Sequence, residues 1–357
     1  MYANPLVSVV LPTYNRGSTI KSAISNILQQ SFNAFELIIV DDGSTDNTAA
    51  VINDISDRRI RFLRLEKNSG PAAARNRGIE AARAKYIAFQ DSDDLWHPEM
   101  LEECYHAMEH SSDDVGLVYT DWLIVPGNYL GSLSISRTSA SSVETQSLLY
   151  NAIFPNHGFV KTDVFKKIEN FDTTLPIRED TELWLRMAKN FKFKHIPKTL
   201  GIYRIHPGGV SRNTNLRKQA TINIYKKHKK TIDSAYQNEE TLILDKLQKK
   251  LAERMLFIWG TGSAGERALH LLEKWNFEVE GFFESSIHER KTTKRYRNKK
   301  VYGPIHLLTK KWKQSPFILV ESVYIGQIET LLKSSNLQPG EDYELNLLSP
   351  LNEIKPL

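Results

Sequence analysis

The sequence predicts an α/β protein: a mostly parallel central sheet flanked by helices, then a helical connector and a second, smaller α/β domain. Three observations predict it. Continuous apolar runs of strand length alternate with helix-like segments from Leu6 onward, and strands apolar at every position belong to parallel sheets covered on both faces. A Lys-, Glu- and Gln-rich stretch carrying Leu242, Leu247 and Leu251 at helical spacing interrupts that alternation. The alternation restarts at Met255–Trp259, where a glycine-rich turn, Gly260-Thr261-Gly262-Ser263-Ala264-Gly265, leads into another helix. At 357 residues the chain exceeds one typical domain of roughly 100–200 residues. The expected division is 1–210, a connector over 211–254, and 255–357.

Leu6–Leu11 reads as the first strand, and the polar loop Pro12–Gly17 leads to a helix capped by Ser18 and carrying Ile20, Ile24, Ile27 and Leu28. Phe35–Val40 is the second strand and ends in Asp41-Asp42-Gly43-Ser44. Thr45 or Asp46 caps the next helix, with Ala49 to Ile52, and Ile60–Leu65 is the third strand. Pro71, whose fixed φ suits a first helical position, opens an Ala-rich helix to Ala84 that feeds the strand Tyr86–Gln90. A strand pair is expected over Val115–Val125, and the Ser- and Gly-rich stretch Gly127–Ser142 is expected as a mobile loop beside the site. Phe159–Lys161, helices near Val164–Ile168 and Asp180–Asn190, and strands Phe191–Ile196 and Leu200–Arg204 complete this domain. Ligands of such sheets bind beyond the carboxyl ends of the strands, so the exits Thr13–Arg16, Asp41–Ser44 and Asp91–Asp94 should converge on one site.

Composition narrows the classes. With 41% hydrophobic and 25% charged residues the chain is globular rather than disordered. The net charge of +5 is concentrated in Lys226-Lys227-His228-Lys229-Lys230 and in Arg290–Lys300. Such runs form solvated faces or meet an anionic membrane surface; no aromatic-interleaved motif accompanies them, so nucleic acid is not an expected partner. Cys104 is the only cysteine, which forbids an intrachain disulfide and suits a reducing compartment. No apolar run approaches 18 residues, and the first residues lack signal-peptide character. A cytoplasmic location is expected, with peripheral association at the inner face of the membrane.

The chemistry concentrates where the strand Tyr86–Gln90 ends in Asp91-Ser92-Asp93-Asp94. A strand period of two aims Asp91 and Asp93 to one side. Carboxylate oxygens suit Mg²⁺ or Mn²⁺, whose shells are commonly completed by a substrate's phosphates. An acidic turn after a strand is the plain structural alternative. Asn68-Ser69-Gly70-Pro71 begins a helix whose free N–H groups favour an anion, and Arg75 lies one turn inside it; a surface ion pair is the competing reading for Arg75. In Glu179-Asp180-Thr181-Glu182-Leu183-Trp184, Asp180 lies at a helix start, where the dipole lowers a carboxylate's pKa, and is either a base or a cap. Trp96 and Trp184 read equally as pocket walls or core.

Five motifs in order, Val9-Val10-Leu11-Pro12-Thr13-Tyr14-Asn15, Val40-Asp41-Asp42-Gly43-Ser44-Thr45-Asp46, Asn68–Gly78, Asp91-Ser92-Asp93-Asp94 and Glu179-Asp180, make residues 5–210 resemble the family 2 glycosyltransferases. These are nucleotide-sugar-dependent enzymes with the GT-A fold. The resemblance implies that Pro12, Tyr14 and Asp42 contact the nucleobase and ribose, with Thr13, Asn15, Asp41 and Ser92 in the same donor site. It implies that Arg75 lies near the pyrophosphate, that Asp93 holds the metal, and that Asp91 sits by the ribose or the metal's water shell. Asp180 becomes the base with Glu179 as its fallback, and His206, in Tyr203-Arg204-Ile205-His206, approaches the metal or diphosphate.

In the second domain, Gly260-x-Gly262-x-x-Gly265 between strand and helix, with Glu284 19 residues past Gly265, has the context of a Rossmann-like dinucleotide fingerprint. No hydride-transfer partner accompanies it, so a binding, docking or self-association module is expected, with a dinucleotide as its candidate ligand. The expected activity is metal-dependent (Mn²⁺ or Mg²⁺), inverting transfer of a sugar from a nucleoside-diphosphate donor, UDP-linked, to a hydroxyl of a glycan or lipid-linked glycan. The alternatives are an NAD(P)-binding sugar-modifying enzyme and a non-catalytic nucleotide-sugar-binding scaffold.

Overall fold

The computed structural model describes residues 4–126, 134–136, 158–205, 213–252, 254–285, 295–304, 306–307, 311–320, 328–329, 332–333, 335, 337–345 and 347. His206, nearly all of the expected loop 127–142 and part of the basic stretch 290–300 lie outside them. The chain divides into two compact units, Met1–Lys229 and Lys230–Lys355.

The first unit is built on β1 (Val7–Thr13), β2 (Phe35–Asp41), β3 (Ile60–Arg64), β4 (Tyr86–Phe89), β5 (Leu95–Trp96), β6 (Val115–Pro126), β7 (Ser134–Ser136), β8 (Phe159–Lys161) and β9 (Lys192–Ile205). Its helices are α1 (Ile20–Leu28), α2 (Thr48–Asn53), α3 (Pro71–Ala81), α4 (Met100–Glu109), α5 (Val164–Lys167) and α6 (Glu179–Met187). The sheet order is β3-β2-β1-β4-β8-β6-β9-β5, with β7 on β6. The first four strands are parallel, β8 runs antiparallel between β4 and β6, and β6 and β9 are parallel. Every residue of β1 and β2 is buried. Alternation sends Val7, Val9 and Leu11 to a layer with Ile20, Ile24 and Ile27 of α1, while Val10 faces Ile87, Phe89 and Trp184 on the other side.

Several boundaries differ from the expectation, each for a local reason. The helix expected to reach Ala84 ends at Ala81, because the Arg83 and Ala84 N–H groups turn to the Ser8 hydroxyl (3.2 Å each) and Arg83 also to Glu36 Oε1 (2.9 Å). Ser18 does not cap α1; Thr19 is the N-cap, without a side-chain bond, and the Arg16 carbonyl accepts the Thr19 and Ile20 N–H groups. Asn47, not Thr45 or Asp46, is the N-cap of α2, although Asp46 Oδ1 accepts the Thr48 N–H at 2.9 Å. The pair expected over Val115–Val125 is one strand, β6. The two strands expected over Phe191–Arg204 are also one, β9, in which Ile196 opposes Thr120 and Thr199 opposes Asp121. Pro197 and Lys198 are the surplus residues; proline has no N–H to give the ladder, so the strand bulges there instead of stopping.

Helix α7 (Thr214–Leu251) runs across the boundary between the units and is broken at His228, whose φ of −114° and ψ of 20° are not helical. The second unit holds β10 (Arg254–Trp259), α8 (Ser263–Lys274), β11 (Val279–Phe283), β12 (Arg295–Tyr296), β13 (Lys299–Tyr302), β14 (Ser315–Val320) and β15 (Tyr343–Leu345). Its sheet order is β12-β13-β11-β10-β14-β15, parallel except for β12 with β13. Phe257, Trp259, Phe283, Tyr302 and Trp312 pack its core. Among the described residues, no helix is long and apolar enough to cross a membrane.

Candidate active site

Two of the strand exits are stitched together by backbone-directed bonds. The Asn15 N–H donates to Ser44 Oγ at 2.8 Å, and Asn15 Oδ1 accepts the Thr45 N–H at 2.9 Å. The Arg16 N–H donates to Thr48 Oγ1 (2.8 Å) and the Gly17 N–H to Asp46 Oδ2 (3.0 Å). Asn15 itself has φ of 50°, a left-handed position that asparagine tolerates. Gly43 also has positive φ, 70°, and a Cβ there would fall 2.7 Å from the Lys67 backbone, so the turn after β2 excludes any side chain.

Asp41 is fully buried; its Oδ1 accepts the Ser44 N–H at 3.0 Å, and Oδ2 lies 3.4 Å from Arg64 Nε. Asp42 accepts the Ser69 and Gly70 N–H groups, both at 2.8 Å, at the start of α3. Ser69 and Gly70 immediately precede α3, so Asp42 ties the end of β2 to the entry of that helix. Burial pushes the Asp42 carboxyl up, and those two N–H bonds oppose the shift. Each oxygen keeps a second lone pair. Pro12 and Thr13 are buried at the end of β1, while Tyr14 is 38% exposed beside them.

Arg75, on α3, lies between the end of β4 and the start of α6. Its guanidinium is buried, with 4% of the side chain exposed, and forks between Asp91 Oδ1 (2.6 Å) and Glu179 Oε1. Burial would lower its pKa, but the charges of Asp91, Glu179 and Asp180 outweigh that and hold it above its ordinary value. It thus ties the end of β4 to the start of α6.

Beyond β4, one carboxylate oxygen from each of Asp91, Asp93 and Asp94 lies within 4.8 Å of the others. Asp93 is half-buried at 28% side-chain exposure, with Arg16 Nη2 3.3 Å from its Oδ2. Asp94 is buried and accepts the Arg204 N–H at 3.0 Å, while the Arg204 Nε–H donates to the Asp93 carbonyl. Ser92, between Asp91 and Asp93 in the chain, is buried. Hard oxygen donors at this spacing suit a small divalent cation, with Asp93 and Asp91 as the residues that would hold it.

The base candidate sits across Arg75. Glu179 and Asp180 open α6 after Arg178, which has φ of 63°, and both are buried. Asp180 Oδ1 accepts the Thr181 N–H and hydroxyl. The helix start was expected to lower the Asp180 pKa. Burial instead dominates, the Glu179 charge adds to it, and the carboxyl is pushed up to about 7 despite Arg75. Trp184 and Trp96 are both core residues.

In the second unit, Gly260 has φ of 107°, and a Cβ on Gly265 would fall 2.1 Å from the Gly260 carbonyl oxygen. A Cβ on Gly262 would meet nothing within 4 Å, so the turn is open there. Glu284 Oε2 accepts the Thr261 hydroxyl at 3.2 Å.

Sequence reasoning gave no role to Arg16, Arg204 or Glu182, although all three lie inside the motifs it singled out. Their partners, Asp93, Asp94 and residues of α7, are 77, 110 and 46 positions away or nearly so, and only the fold brings them together.

The parallel half-sheet, the acidic strand end and the acidic helix start define a GT-A-type fold, and comparison with known proteins agrees. Residues 8–159 match glycosyl transferase family 2. The chain is 32% identical over 188 residues to the UDP-Glc:alpha-D-GlcNAc-diphosphoundecaprenol beta-1,3-glucosyltransferase WfgD of Escherichia coli, covering 52% of this chain and 70% of that protein. The chain belongs to glycosyl transferase family 2, and it is a glycosyltransferase. Among solved structures it is similar to S. aureus TarS 1-349 in complex with UDP-GlcNAc, at TM-score 0.52 and 20% identity, covering 61% of this chain and 66% of that one. It is also similar to the mannosyltransferase PcManGT of Pyrobaculum calidifontis in complex with GDP-Man and Mn²⁺, at TM-score 0.50 and 18% identity, covering 64% and 65%. The chain thus spans just under two thirds of each of those structures, and at these identities the likeness shows the fold alone.

Proposed function

We propose that this protein is an inverting, metal-dependent glycosyltransferase that moves a sugar from a UDP-linked donor to a hydroxyl of a glycan or lipid-linked glycan. The observation that carries this reading is the pairing, across Arg75, of an accessible acidic strand end with a buried acidic helix start. The names of the relatives support a UDP-sugar and a diphospholipid-linked acceptor, and the Mn²⁺ in one structural relative supports a divalent cation.

In this mechanism Tyr14 and Pro12 wall the nucleobase, and Asp42 accepts its ring N–H with the lone pairs its backbone bonds leave. Thr13, Asn15, Asp41 and Ser92 shape the same pocket. A divalent cation held by Asp93 and Asp91 would offset the charge of the departing diphosphate. Asp180 takes the proton of the acceptor hydroxyl, with Glu179 as its alternative. The acceptor oxygen forms its bond to the anomeric carbon as the bond from that carbon to the phosphate oxygen breaks. The bonding electrons leave with the nucleoside diphosphate, and attack from the opposite face inverts the centre.

The basic residues of α7, Lys226, Lys229 and Lys230, support peripheral contact with an anionic membrane that would carry such an acceptor. For the second unit, the open face of Gly262 supports a binding or self-association module that receives a dinucleotide at 260–265.

The test is a thermal-shift series with UDP, GDP, UDP-glucose, UDP-GlcNAc and NADH, with and without Mn²⁺. Binding raises apparent stability by mass action. The expected result is a UDP-specific shift that grows with Mn²⁺; no shift with any nucleotide sugar overturns the reading. A shift with NADH alone would favour the dinucleotide enzyme instead.

A further inference from the structure

Glu182 lies on α6 two residues beyond Asp180 and is fully buried. Its carboxylate is surrounded by cations and donors from two directions. Arg186 Nε approaches both oxygens at 3.0 and 2.9 Å, Lys227 Nζ lies 2.9 Å from Oε1, and His228 Nε2 lies 2.9 Å from the same atom. Burial alone would push the Glu182 carboxyl up, but the bonds from His228, Arg186 and Lys227 hold it down at about 2.

The geometry of α7 serves this contact. Consecutive residues of a regular helix point about 100° apart and do not face one acceptor together. The non-helical backbone at His228 is where Lys227 and His228 both reach Glu182. Lys227 also binds Asp172 Oδ2 at 2.7 Å, Arg186 Nη2 donates to the Asn170 carbonyl at 2.7 Å, and Arg178 Nη1 donates to Thr221 Oγ1 at 2.6 Å. Helix α6 is therefore clamped at both ends, to the segment before it and to the first part of α7. A buried ion cluster of this kind is a poor source of stability compared with apolar packing, so what it supplies is a defined geometry.

We propose that Glu182 is a positioning residue for Asp180, and that Thr221, Lys227 and His228 make the first part of α7 a working part of the catalytic unit. That segment lies beyond residues 8–159, the stretch matched to the family. The inference rests on the reading of Asp180 as the base.

The test uses the full chain and measures UDP release from UDP-glucose or UDP-GlcNAc, whichever the wild type turns over, together with melting temperature. Glu182→Gln is expected to lower kcat about 10- to 100-fold, as misplacement of a reacting group does. Donor KM should stay within about twofold, because the donor site is untouched, and the acid limb of the kcat profile should move. Lys227→Gln, at a partly exposed position, should lower kcat in the same way but less. A Glu182→Gln protein that melts earlier yet keeps wild-type kcat and pH profile overturns the proposal. If Glu182→Gln does not fold, unchanged kcat and pH profile in Lys227→Gln overturn it, and a fall in kcat at constant KM supports it. Asp180→Asn, run alongside, separates the two readings. If it retains full turnover the base assignment fails; if it is dead while Glu182→Gln is normal, only the positioning role fails.

Discussion

The end of β4 and the start of α6 are both acidic and both held by Arg75, yet they differ in solvation. Asp93 is part-exposed and pairs with Arg16, whereas Asp180 is buried next to Glu179. An accessible carboxylate can meet a cation from solvent. A buried one beside a second carboxylate is raised toward neutrality, where it can exchange a proton near physiological pH. In the proposed mechanism one residue type thus serves two roles, and the surroundings decide which.

Substitutions can break that contrast, beginning with the largest expected effect. Asp180→Asn removes the proton acceptor while keeping its shape, and kcat should fall about 10²- to 10⁴-fold in a steady-state transfer assay. Asp93→Asn should weaken turnover by about 10²-fold, and added Mn²⁺ should restore part of it, because a cation site contributes several kcal/mol of charge stabilisation. A mutant whose rate and Mn²⁺ dependence match the wild type would remove Asp93 from the metal site. Arg75→Met leaves Asp91 and Glu179 facing one another without their shared cation. It should cost about 3–5 kcal/mol in urea-denaturation stability, and a change below about 1 kcal/mol would mean the bridge is dispensable. The smallest effect on stability concerns Asp42, at a third acidic exit, which is buried and holds two backbone N–H groups. Asp42→Asn loses one acceptor for the Ser69 and Gly70 N–H groups and should cost about 1 kcal/mol.

The sequence carried the order of the elements because each strand of the parallel half is apolar at every position, a signal that depends on no distant partner. The strand exits were legible for the same reason: Asp41–Ser44 and Asp91–Asp94 interrupt apolar runs. Long-range partners were not legible. Nothing local says that Arg75 turns to Glu179, 104 positions away, or that Asp42 binds the Ser69 and Gly70 N–H groups just before α3. The pKa of Asp180 was misjudged because a helix start is visible in sequence and burial is not. The bulge at Pro197 was read as a break because a proline ends most strands, and only the register with β6 shows the chain resuming.

The most direct test of the central claim is the pH dependence of kcat between pH 5 and 9. Asp180 accepts a proton only when ionised, and burial places its pKa at about 7, so protonation should lower the rate. The expected profile is level above pH 8 and falls about tenfold per pH unit well below 7. A rate that stays constant from pH 5 to 9 would contradict a buried carboxylate base at this position.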